Sequence, residues 1–167
     1  MQRSNLRSMA WHVRVLVIAN VTATSPDLLA ALQARSERGP IDPTLLMPAT
    51  GNGFAGREEA QGRLDEALDR WREAGFDAKG MVGDPDPVVA VHETWDPRAY
   101  DEVIVSTLPG QSSRWLQSDF PHRVAQITGL DVTHVVSRKR SQPRSGPLPP
   151  REKPALGPLT LRAPRSH

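Results

Sequence analysis

Two short segments hold the side chains and backbone amides best suited to acting on a small ligand. Gly110-Gln111-Ser112-Ser113-Arg114 places free amides and two hydroxyls ahead of an arginine at the start of a helical pattern, an arrangement that would bind an anion. The same residues serve equally as a serine-type helix cap followed by a solvent-facing arginine. Asp84 and Asp86 alternate with Pro85 and Pro87, which makes them cap and dipole partners at a helix start before it makes them a paired-carboxylate site. Neither segment brings a nucleophile or an acid–base partner, so no catalytic residue is assigned and the chain is expected not to be an enzyme. His12, His92, His122, His134 and His167 form no i, i+4 pair and there is no cysteine, so no metal site is expected.

The elements that must position these groups are legible from apolar period and turn chemistry. Val13-Arg-Val-Leu-Val-Ile-Ala19 is a nearly continuous β-branched run, the pattern of a strand covered on both faces. Ser25-Pro26-Asp27 then opens a helix over about Pro26 to Arg38, which stops at Gly39-Pro40. A second strand, Pro43 to Met47, runs into the turn-rich loop Pro48 to Gly56. Arg57 to Ala74 spaces Ala60, Leu64, Ala67, Leu68 and Trp71 along one helical face, with Glu59/Arg63 and Glu66/Arg70 on the outer one and Gly75 as the stop. A third strand spans Phe76 to Val82, and Asp84 is expected to cap a helix over about Pro85 to Thr94. The fourth strand is Tyr100 to Ser106. The loop Thr107 to Ser113 follows it, then a helix over about Arg114 to Thr128 interrupted near Pro121, and a fifth strand Asp131 to Val136. Strands alternating with helices imply an α/β fold, a three-layer α/β/α sandwich on a parallel five-stranded sheet, with right-handed crossovers.

Length and charge set the domain organisation. The 167 residues suffice for one ordinary domain. Residues 1–12 are expected to be a flexible basic N-terminus, with Met9 as an alternative start to Met1, 13–137 the α/β domain, and 138–167 a disordered, basic, proline-rich tail. From Ser137 onward eight Lys/Arg face the single acid Glu152, so the formal charge of +2 divides into a tail at +7 and a body at −5. No apolar run approaches a bilayer span and the start has no secretory apolar core, so a cytoplasmic location and no membrane partner are expected.

In the order of these elements, in Val82-Gly83-Asp84-Pro85 at the end of the third strand, in Glu102-Val-Ile-Val-Ser106 and in the closing Asp131-Val-Thr-His-Val-Val136, the chain resembles the universal stress protein family. The resemblance covers nearly all of Val13 to Val136 and is nearest to a divergent branch reading VLVIAN, GDPDP, STLP and SRWL. It implies the adenine-nucleotide alpha-hydrolase-like sheet order 3-2-1-4-5, a homodimer, and an adenine nucleotide such as ATP or AMP as ligand. Nucleotide-binding members carry G-x-x-G-x9-G-[ST] after the fourth strand. Here Ser106 and Pro109 take the first two glycine positions, and Ser118-Asp119 or Asp119-Phe120 the last pair. All three glycines are replaced, Pro109 lacks an amide donor and Asp119 brings a negative charge, so triphosphate binding is expected to be weakened more than adenosine binding. Asn20 stands where many members have an acid.

Ligands of open α/β sheets lie beyond the carboxyl ends of the strands at the switch point. The implied nucleotide-binding residues are Ala19, Asn20, Val21, Thr22, Met47, Gly83, Asp84, Ser106, Thr107, Gly110, Ser112, Ser113 and Arg114. Thr133, His134, Val135 and Val136 form an edge strand apolar enough to pair with a second copy. The expected function is therefore a non-catalytic stress-response or regulatory domain with a weak or modified nucleotide site. The alternative is an interaction module with a degenerate pocket, whose basic tail contacts nucleic acid or an acidic partner.

Overall fold

The computed structural model describes residues 11–110, 115 and 118–138. The strands are β1 Val13–Ile18, β2 Ile41–Pro48, β3 Lys79–Gly83, β4 Glu102–Thr107 and β5 Val132–Val136. Every pairing is parallel and the order is β3-β2-β1-β4-β5, the order the sequence resemblance implies. The helices among the described residues are α1 Pro26–Glu37, α2 Phe54–Glu73, α3 Pro87–Thr94 and α4 Phe120–Thr128.

The apolar run Val15 to Ile18 of β1 has its cause in the two packed faces of the sheet. Val15 and Val17 join Leu28 and Leu32 of α1 and Leu64, Leu68 and Trp71 of α2 in one core. Leu16 and Ile18, pointing the other way, join Ala90 and Val91 of α3 and Phe120 and Val124 of α4. Period-two alternation thus places consecutive residues in different cores, and from Val15 to Ile18 neither face of β1 meets water.

Local chemistry fixes most helix ends. Ser25 Oγ accepts from Asp27 N at 3.1 Å, with Pro26 in the first turn of α1. The stop of α2 is Gly75 at φ 96°, where the amides of Gly75 and Phe76 return to the carbonyls of Arg72 and Trp71 at 3.0 Å each. α2 begins at Phe54, earlier than Arg57, because Gly53 rather than a side-chain cap starts it. The third helix corrects the expectation more substantially. Asp86, not Asp84, is its cap, accepting from Val88 N at 2.9 Å and Val89 N at 3.4 Å, while Asp84 Oδ1 accepts from Asp86 N at 2.8 Å in a turn ahead of the helix. In a D-P-D-P repeat both registers satisfy the local rule. Packing of Ala90 and Val91 on the sheet selects the later one. The expected interruption near Pro121 falls at the turn Ser118–Asp119, where Asp119 has φ 53°, and Pro121 lies in the first turn of α4, which begins after that turn.

Two ion pairs tie the amino end of β4 to its neighbours. Arg35 of α1 grips Glu102 with both arms, at 2.8 and 2.7 Å. Arg14 of β1 holds Asp101 through its side chain at 3.1 and 3.0 Å and through its backbone amide at 2.9 Å. Hydrogen bonds to these arginines lower both acid pKa values, from ordinary values of 3.8 for Asp101 and 4.5 for Glu102. A lowered folded-state pKa contributes stability that is complete above the unfolded value and disappears as pH falls through the folded one. The melting temperature should therefore drop on acidification below about pH 4.5, and Glu102→Gln should give a shallower acid limb. Parallel limbs for the two proteins would show that the Arg35–Glu102 pair contributes nothing to acid sensitivity.

Candidate functional site

The chain runs from β1 outward through β2 to β3, then crosses back to β4 and on to β5, so the connections leave β1 and β4 toward opposite faces. At that divergence, on the carboxyl edge, lie Thr22, Ser106, Thr107 and Ser137, all buried although polar. Ser106 Oγ donates to Thr22 Oγ1 at 2.9 Å, and Thr22 Oγ1 donates to the Ser106 carbonyl at 3.3 Å. Ser137 Oγ lies 2.8 Å from Ser106 Oγ, and Ser137 N donates to the Thr107 carbonyl at 2.8 Å. With Ser106 donating toward Thr22, Ser137 must donate toward Ser106, so the hydroxyl protons run in one direction across the ends of β5, β4 and β1. Together these side chains make a polar floor in an otherwise apolar sheet.

Each link depends on the next. Ser106→Ala leaves the Ser137 hydroxyl without its Ser106 partner and should cost about 1–3 kcal/mol of unfolding free energy. Urea titration measures it, and a loss below about 0.5 kcal/mol would mean that the floor is not a cooperative network.

Beside the floor, Asn20 is engaged at both ends. Its Nδ2 donates to the Pro48 carbonyl at 3.1 Å, and its Oδ1 accepts from Arg63 Nη1 at 3.1 Å. The other arm of Arg63 pairs with Glu59 at 2.7 Å. Asn20 therefore clamps the end of β1 to the end of β2 and to α2. A cleft of about 180 Å³ lined by Asn20, Val21, Ala23, Thr24, Arg63 and Glu66 opens next to it. Thr107 Oγ1 lies 2.7 Å from His134 Nε2, which fixes that histidine to β4. Burial lowers the His134 pKa from 6.5, favouring the neutral ring.

The structure sorts the expected site residues into three sets. Asn20, Thr22, Ser106 and Thr107 meet at the switch point, with Val21 exposed beside them. The side chains of Ala19 and Met47, expected in the crevice, are instead fully buried in the α1/α2 core, because the phase of Val15 and Val17 continues to Ala19 just past β1 and that of Leu45 to Met47 in β2. Gly83 and Asp84 also have structural tasks. A Cβ on Gly83 would stand 2.8 Å from Ala90 Cβ, so this glycine lets α3 approach β3, and Asp84 forms the turn described above. Gly110 is exposed at φ 46°, while Ser112, Ser113 and Arg114 lie outside the described residues. Asp119, at a position the resemblance aligns with a glycine, has φ 53°, a left-handed conformation that glycine would adopt at lower cost. Trp115 packs on Phe120 with ring centroids 4.9 Å apart.

Two residues of the site were not found from sequence. Ser137 reads as the first residue of a polar tail, yet it is fully buried. Arg63 reads as half of a surface pair with Glu59, and only the fold brings Asn20 to its other arm. The edge residues divide similarly. β5 pairs with β4 and is an outer strand, with Thr133, His134 and Val136 exposed and Val135 half-buried against the α1/α2 core.

No protein-family profile and no curated protein matches the chain. Among solved structures it is similar to a universal stress protein in complex with cAMP, at a TM-score of 0.52 and 21% sequence identity, over 75% of this chain and 98% of that one. At that identity the likeness establishes the fold: this chain has the universal stress protein fold that its element order implies.

Proposed function

We propose that the chain is a non-catalytic stress-protein-like domain that binds an adenine nucleotide at the switch point between β1 and β4, weakly or in a modified way, and works as a homodimer in a stress-response or regulatory role. The observation that carries the ligand reading is the polar floor of Thr22, Ser106, Thr107 and Ser137. It lies at the carboxyl ends of the strands, where open α/β sheets take ligands, in a fold shared with a cAMP-bound protein. The outer position of β5 and the exposure of Thr133, His134 and Val136 support pairing with a second copy.

Calorimetry with ATP, AMP and cyclic AMP, together with mass analysis of whatever co-purifies, tests the ligand. Measurable binding of at least one nucleotide is expected, and millimolar or absent binding of all three would refute this reading. One observation favours a second function. Asn20 is already satisfied by Pro48 and Arg63, so a nucleoside must displace an internal partner to use it. A domain with such a pocket that binds no nucleotide would act as an interaction module, its basic tail contacting an acidic partner or nucleic acid. Salt-sensitive retention on an anionic resin, lost on deletion of the tail, would support that alternative.

A further inference from the structure

We infer that Arg138 supplies the counter-charge for the phosphate of a nucleotide bound at this crevice. The inference rests on the nucleotide reading above. An anion at a strand edge needs amide donors or a cation; among the described residues the loop after β4, Thr107 to Gly110, holds no cation, and Ser112, Ser113 and Arg114 lie outside them. Pro109 lacks an amide hydrogen, and Asp119, ahead of α4, adds a carboxylate. Arg63 of α2, which reaches the end of β1 through Asn20, is shared between Asn20 and Glu59.

Arg138, by contrast, is fixed beside the polar floor. Ser137, its chain neighbour, is held to β4 by the Ser106 hydroxyl at 2.8 Å and the Thr107 carbonyl at 2.8 Å. The amide of Arg138 itself donates to Asp27 Oδ2 at 2.9 Å, in the first turn of α1. The backbone leading into its Cα is thus anchored between the end of β4 and the start of α1. Arg138 is exposed, and among the described residues its guanidinium has no ion-pair partner. A guanidinium on an ordered backbone offers a phosphate two parallel donors at a smaller ordering cost than one on a mobile loop.

Comparing adenosine with AMP isolates the phosphate. For the full chain, Arg138→Ala should weaken AMP and ATP binding about ten-fold and leave adenosine binding unchanged. Added salt should weaken AMP binding more in the unmodified chain than in the variant. An unshifted melting temperature is expected and would show that the change acts on the ligand. Equal losses for adenosine and AMP would overturn the assignment, as would an unchanged AMP affinity. A loss seen only when Lys139 and Arg140 are also replaced would overturn it in favour of the tail's net charge. If the unmodified chain binds neither adenosine nor AMP, the nucleotide reading itself fails and takes the assignment with it.

Discussion

Trp71→Ala should lower the unfolding midpoint by roughly 10–20 °C, the largest loss expected from a single truncation in this chain. Trp71 of α2 is 1% exposed and is the largest fully buried side chain among the described residues, in the core between the helices and the sheet. Its indole also donates to the Ala23 carbonyl at 3.1 Å. Truncation removes the buried rings, leaves a cavity that neighbouring side chains fill only in part, and strips Ala23 of a partner, for about 3–5 kcal/mol in total. Trp71→Phe keeps most of the packing and loses the hydrogen bond, so it should cost about a third as much. Scanning calorimetry of both variants separates the two effects. Equal losses would mean that the hydrogen bond dominates, contrary to this account. Because Ala23 adjoins Thr22, the alanine variant should also loosen the polar floor, and amide exchange across Asn20 to Ser25 should quicken beyond the global effect.

Gly83→Val is the second large effect, and it decides whether this glycine serves packing or ligand. The first added atom meets Ala90 Cβ at 2.8 Å and Leu46 Cδ1 at 2.9 Å. Leu46 can rotate away. Ala90 cannot, because its Cβ is attached directly to the backbone of α3, so the helix must move off the sheet. Overpacking of this kind costs about 1–3 kcal/mol, with valine at the upper end. Gly83→Ala should already lower the denaturant midpoint. A variant as stable as the parent would remove the packing role and return Gly83 to the crevice.

These two positions show what could be read from sequence and what could not. Trp71 was legible, because its spacing from Leu64, Leu68 and Ala67 places it on the apolar face of α2 whatever that face meets. Gly83 is expected from sequence at the ligand crevice, and the structure adds a packing task that sequence does not show. A glycine at a strand end fits a ligand turn or a close helix, and only the distance to Ala90 distinguishes them. The cap expected at Asp84 falls to Asp86 for a similar reason, since each has the local chemistry of a cap and only the seating of α3 chooses between them.

By itself the sequence determined the strands, the helices and the parallel sheet, because apolar period, proline and glycine punctuation and helix caps act over a few residues, while the strand order came from the family resemblance. The stop at Gly75 and the cap at Ser25 are local events of this kind. Tertiary structure alone decided which polar groups meet. Thr22 and Ser106 are separated by 84 residues, Ser106 and Ser137 by 31, and Arg138 and Asp27 by 111, and no short-range pattern marks any of these partners. A serine that ends a strand looks the same whether it faces water or closes a buried chain of hydroxyls. The difference arises only when three strands with unrelated local sequences end at the same edge of one sheet.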